Sequence, residues 1–181
     1  MNKMLKLPLF LGIVGGLCGG VLAVTNFITE GPIKKGEENR LNAAYFKHFE
    51  DFANKQIPEV SAELQAAGVT SKVLVFNASN DFVGTIYQCT VTGFASDITF
   101  TVSFRDGQIS KYINIAAAET GNGPTTIENL NVASSNELAA ILASGKTWTG
   151  GTYTFAGINP ALQACSADYL GEYQSIPDYE A

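Results

Sequence analysis

The sequence predicts an α+β fold: a single N-terminal transmembrane helix, then a domain whose twisted, mostly antiparallel sheet is flanked by helices. Three observations predict it. Leu7 to Ile28 holds no charged residue; β-branched and aromatic runs fill the stretch from Lys72 to Ile115; and apolar residues recur at helical steps on either side of that stretch. Residues 1–29 are then the membrane anchor, 30–36 a linker, 37–174 the folded domain and 175–181 an acidic tail. A chain of 181 residues suits one such domain with an appendage, and a domain of that size buries most of its apolar surface without disulfides or metals.

The uncharged run is about 22 residues, which at roughly 1.5 Å per residue crosses the hydrocarbon core of a bilayer. A cleaved signal peptide ending near Val21 and Ala23 is the rival reading, but the apolar run continues through Phe27 and Ile28, long for such a segment. Gly12, Gly15, Gly16, Gly19 and Gly20 fall on overlapping four-residue spacings, which let a second helix approach closely in lipid. Lys3 and Lys6 precede the span while Lys34, Lys35 and Arg40 follow it, so charge does not settle its orientation.

Glu30 to Gly36, with Gly31 and Pro32, reads as the exit linker. Leu41, Ala44, Tyr45, His48, Phe49 and Phe52 then mark one face of a helix. Strands follow at Lys72–Asn77, Val83–Phe94, Ile98–Arg105 and Gln108–Ile115. Asp106 and Gly107, flanked by alternating apolar residues, predict a tight hairpin. Ser134 and Glu137 form a capping box for a helix that buries Leu138, Ile141 and Leu142 and stops at Gly145. Phe155, Ile158, Leu162, Cys165 and Tyr169 predict a last helix. Two starts are open to it: directly from the turn Thr149-Gly150-Gly151-Thr152, or at Pro160 with Asn159 as cap.

Composition excludes several functions. The net charge is −6 and every acidic residue follows the apolar run, so nucleic acid is not an expected partner. The one histidine, His48, sits on the apolar edge of a helix without a cysteine pair nearby, so no metal site is expected. No Ser-His-Asp, Cys-His or paired-carboxylate arrangement stands out, hence no catalytic residues and no independent enzyme. Cys18, Cys89 and Cys165 lie in unrelated settings, and a Cys89–Cys165 disulfide is conceivable outside the cytoplasm.

The segment Thr149, Gly150, Gly151, Thr152, Tyr153, Thr154 has the chemistry of a phosphate cradle: a glycine-loosened turn whose N–H groups and hydroxyls converge on an anion. It also resembles the Ser/Thr-Gly-Ala-Thr-x-Ser/Thr motif of the FMN-binding domain in the Rnf complexes and the sodium-pumping NADH:quinone reductase. That family esterifies the motif's threonine to the phosphate of FMN, which implies Thr152 here. Glu119-Thr120-Gly121-Asn122-Gly123 resembles the family's Glu-Thr-Pro-Gly-x-Gly loop near the flavin, without its proline. Gly151 stands for the family's alanine, and Lys146 about where members carry an aspartate recognised by the flavin transferase.

The resemblance implies a membrane-anchored subunit that relays electrons through FMN, held at Thr152 and flanked by Thr149, Gly150, Gly151, Thr154, Glu119 and Thr120, with Trp148 shielding the ring. It also implies a single-pass protein with its domain on the extracytoplasmic side, integral membrane subunits as partners, and a flavin transferase if loading is covalent. The alternative is an accessory or structural subunit that has lost its flavin.

Overall fold

The computed structural model describes residues 45–145 and 151–176. The expected anchor and its glycine spacings, the linker, the start of the helix from Leu41, Lys146, Trp148, Thr149, Gly150 and the last five residues lie outside them. Among the described residues no helix is long and apolar enough to cross a membrane.

The domain is α+β. Among the described residues five strands, β1 (Asn54–Gln56), β2 (Val69–Phe76), β3 (Phe82–Thr92), β4 (Asp97–Arg105) and β5 (Gln108–Ala116), form one antiparallel sheet in sequence order. Among the described residues helices α1 (Ala62–Ala66), α2 (Gly123–Val132), α3 (Ser135–Ser144) and α4 (Thr152–Glu172) join it, with a helical turn at residues 45–48. The β4–β5 hairpin turns at Asp106 and Gly107, whose φ values of 51° and 80° are the left-handed pair that a two-residue hairpin needs. The capping box of α3 forms between Ser134 and Glu137, and Gly145 ends that helix at φ 63°.

Alternation decides the faces of the sheet. Ile98, Phe100, Val102 and Phe104 of β4 point to one side, joined by Tyr87, Cys89 and Val91 of β3. This side is covered by Ile127 and Leu130 of α2, Leu138 and Ile141 of α3, and Phe155, Ile158, Leu162, Cys165 and Tyr169 of α4. On β5, Ile109 and Tyr112 both reach this core although an odd number of steps separates them. The reason is a bulge: Ser103 pairs Lys111 and Phe104 pairs Ile109, so Ser110 is the extra residue that switches the pleat.

The opposite face is smaller, with Val73, Val75, Val83 and Ile86 against Tyr45, Phe49 and Phe52. His48 lies buried on this side between two β4 hydroxyls, Nε2 2.8 Å from Thr101 and Nδ1 3.0 Å from Ser103. Burial, aided by Lys111, pushes its pKa down to about 3, so the ring is neutral and packed.

Several boundaries differ from expectation. Helical residues 45–48 end at His48, because the chain turns there to fold Phe49 and Phe52 into the smaller core. β2 starts at Val69, launched from Gly68 at φ 91°. The sequence reading missed β1, α1 and α2. α4 starts at Thr152 and carries Pro160 within it, so the glycine turn feeds the helix directly and Asn159 is not a cap.

Candidate functional site

The residues singled out by sequence converge where β3 turns into β4, where β5 runs into α2, and where α4 begins. Glu119 joins all three. Its Oε1 accepts the backbone N–H groups of Ala95 (2.9 Å) and Ser96 (3.1 Å). Its Oε2 accepts the N–H of Phe94 (3.1 Å) and the hydroxyl of Thr154 (2.6 Å). Three consecutive N–H groups pointing inward make an anion-binding nest, and the protein fills it with its own carboxylate. Ser96 strengthens the join by accepting the N–H of Ala118 at 2.9 Å.

Glu119 is therefore buried, at 9% exposure, and not a solvated loop acid. Burial alone raises its pKa, but the Thr154 hydroxyl and the three N–H groups outweigh it and hold the carboxyl below the ordinary value. Glycine is required around it. A Cβ on Gly93 would stand 2.6 Å from Glu119 Oε1, and one on Gly123 would stand 2.8 Å from both the Glu119 Cβ and the Thr154 Oγ1.

Above this latch the first turn of α4 reaches the surface. Thr152 is exposed and Thr154, two residues on, is buried. Phe155 donates to the carbonyl of Gly151, so the N–H groups of Thr152, Tyr153 and Thr154 precede the first helical bond and lie at the positive end of the helix dipole. Gly151 has φ −104°, a conformation open to any residue. What demands glycine is packing: a Cβ there would lie 1.5 Å from the Oγ1 of Thr126 on α2. The backbone freedom expected of this glycine is thus not its reason for being there.

Thr120 is exposed, and its carbonyl accepts the N–H of Gly123 at 3.1 Å. Gly121 takes φ 63° with open space around it. Thr149 and Gly150 lie outside the described residues. The structure thus brings Glu119, Thr154, Gly123 and Gly151 into one packed unit, with Thr152 and Thr120 on its surface.

Sequence reasoning missed an aromatic pair at this spot. Phe94 and Tyr153 are 65% and 77% exposed, with ring centroids 5.9 Å apart beside the α4 N-terminus. The only sequence signal was Tyr153's place inside the motif. A cavity of about 330 Å³ opens between Glu119, Pro124, Ile127 and Asn131, and Thr152 is not among its walls. A larger groove of about 850 Å³, walled by residues 46–51, Arg105 and Lys111, contains none of the expected site residues.

The other polar cluster lies farther along α4. Lys72 of β2 meets Asp168 and Glu172, each at 2.6 Å, and Tyr87 donates to Asp168 at 2.5 Å. Burial lowers the Lys72 pKa, but the two carboxylates more than offset it and the net shift is upward. Carboxylates one turn apart on α4 were visible in the sequence; their lysine, 96 and 100 residues away, was not. No family model and no curated protein matches the chain.

Proposed function

We propose that this chain is a membrane-anchored flavoprotein subunit that relays electrons through FMN, esterified by its phosphate to Thr152, on the extracytoplasmic side of a cell membrane. Integral membrane subunits of an Rnf-like or quinone-reductase-like complex are its partners, and a flavin transferase loads it. The chain is an electron-carrying subunit and not an independent enzyme. The observation that carries this reading is the exposure of Thr152 on the first turn of a long helix, one residue beyond a glycine that admits no side chain.

The residues present fit the group. A phosphate at Thr152 meets N–H groups that precede the first helical bond of α4, and a favourable helix dipole. The rings of Phe94 and Tyr153 offer aromatic faces beside it. The hydrogen bond from Thr154 to Glu119 ties together two segments 35 residues apart, the same two that resemble the family's attachment motif and flavin loop. FMN supplies the redox chemistry when bound. The chain's own contribution is to present one hydroxyl on rigid secondary structure, with Glu119 clamping the neighbouring turn and Thr120 exposed in the adjoining loop.

The test is the intact mass of the chain purified from its own membrane, with flavin fluorescence on a denaturing gel. An added mass of FMN less water is expected, lost in Thr152→Ala. A wild-type chain of unmodified mass and no fluorescence sinks the reading.

One observation favours a second reading, an accessory subunit without flavin. Both Glu119 oxygens and the Thr154 hydroxyl are engaged within the protein, so folding alone accounts for that part of the motif. The same mass measurement separates the two.

A further inference from the structure

Cys89 lies on β3 and Cys165 on α4, 76 residues apart in sequence, with their sulfurs 3.7 Å apart. Both are fully buried at the centre of the larger core. The third cysteine, Cys18, belongs to the apolar N-terminal stretch, so the two cysteines of the folded domain face each other. A disulfide needs its sulfurs at about 2.05 Å, so closure asks for about 1.7 Å of approach shared between a strand and the helix packed on it.

We infer that Cys89 and Cys165 are joined by a disulfide that staples α4 to the middle of the sheet, an inference that rests on the extracytoplasmic placement proposed above. The oxidant is the disulfide of an oxidised dithiol protein. One cysteine thiolate attacks that disulfide and releases one donor sulfur as a thiolate. The second cysteine then displaces the other donor sulfur from the mixed disulfide. Two S–H bonds are lost and one S–S bond is formed; two protons go to solvent and the electron pair leaves on the reduced donor.

Timing follows from burial. In the folded domain the contact between the two thiols and their desolvation push the Cys165 thiol up, and no donor reaches it. Exchange therefore precedes the closing of α4 over the sheet, and the finished bond is shielded from reductants.

The experiment denatures the full chain, taken from its own membrane, with a thiol-reactive maleimide and maps the adducts. Before reduction only Cys18 is expected to react; after reduction, all three cysteines. Cys89→Ser is expected to leave Cys165 reactive without reduction. Adducts on Cys89 and Cys165 of the unreduced wild type overturn the inference. Refolding the full chain in detergent with oxidised glutathione then identifies the failed premise. Closure in that mixture blames the compartment, whereas failure to close blames the geometry and leaves the placement of the domain untouched. Chain refolded with oxidised glutathione is expected to melt about 10 °C above chain refolded with reductant. That gap is expected to vanish in the double variant Cys89→Ala, Cys165→Ala, and an equal gap there counts against the bond.

Discussion

Glycine 151 shows how a single residue can be fixed by its neighbour and not by its backbone. Because its φ is ordinary, Gly151→Ala costs nothing in conformation, yet the new methyl must displace Thr126. Overpacking of this kind costs about 1–3 kcal/mol, read as a lower urea midpoint. Adding Thr126→Gly to the same chain is expected to restore part of the loss. Glu119 is the other residue whose role is local and large. Glu119→Ala leaves three N–H groups and a hydroxyl without their acceptor, a loss of about 2–5 kcal/mol, while Glu119→Gln loses less because one oxygen remains. Its folded pKa lies below its unfolded one, so its contribution is complete above the unfolded value and disappears as pH falls through the folded value. Acid titration of stability is expected to be shallower below pH 4.5 in Glu119→Gln than in wild type. The sequence revealed Glu119 and Thr154 as candidates but not as partners, since spacing carries no information about which loop an acid will cap.

At the scale of elements, legibility followed local determinants. The β4–β5 hairpin and the capped α3 were readable because Asp106, Gly107, Ser134, Glu137 and Gly145 each carry their own conformational reason. α2 was not, because Thr125, Thr126, Asn129 and Asn131 are weak helix formers and its stability comes from Ile127 and Leu130 packing under the sheet. Pro124 at its start was the available sign. The two possible starts of α4 were undecided in sequence because Pro160 argues against a continuous helix; burial along Phe155, Ile158, Leu162 and Cys165 overrides it. α4 sits tight on the sheet at Gly157, where a Cβ would come 2.3 Å from the carbonyl oxygen of Thr92. Gly157→Ala must push the helix off β3 and is expected to lower stability by at least about 1–3 kcal/mol in the same urea assay. An unchanged midpoint there speaks against this close packing.

For the whole molecule, the single histidine offers a direct probe of how the second face of the sheet is sealed. His48 is lowered to about 3 from 6.5, so between those values the unfolded chain binds a proton that the folded one does not. Stability from this group is full above pH 6.5 and falls steadily toward pH 3. Since the chain has one histidine, its NMR imidazole signal is unambiguous and is expected to hold still from pH 7 to about 4. A midpoint near 6.5 means that water reaches the ring and the smaller core is open. The order of assembly follows from where α4 lies. The strands pair with their sequence neighbours and can zip up as they emerge, but the cover over Tyr87, Cys89 and Phe100 is encoded in the last fifth of the chain. At about 5–20 residues per second, the ribosome leaves that greasy surface naked for seconds after β5 is made. Newborn chains thus have a sticky adolescence, and substitutions that speed or slow the arrival of α4 should change yield before they change the melting point of the finished protein.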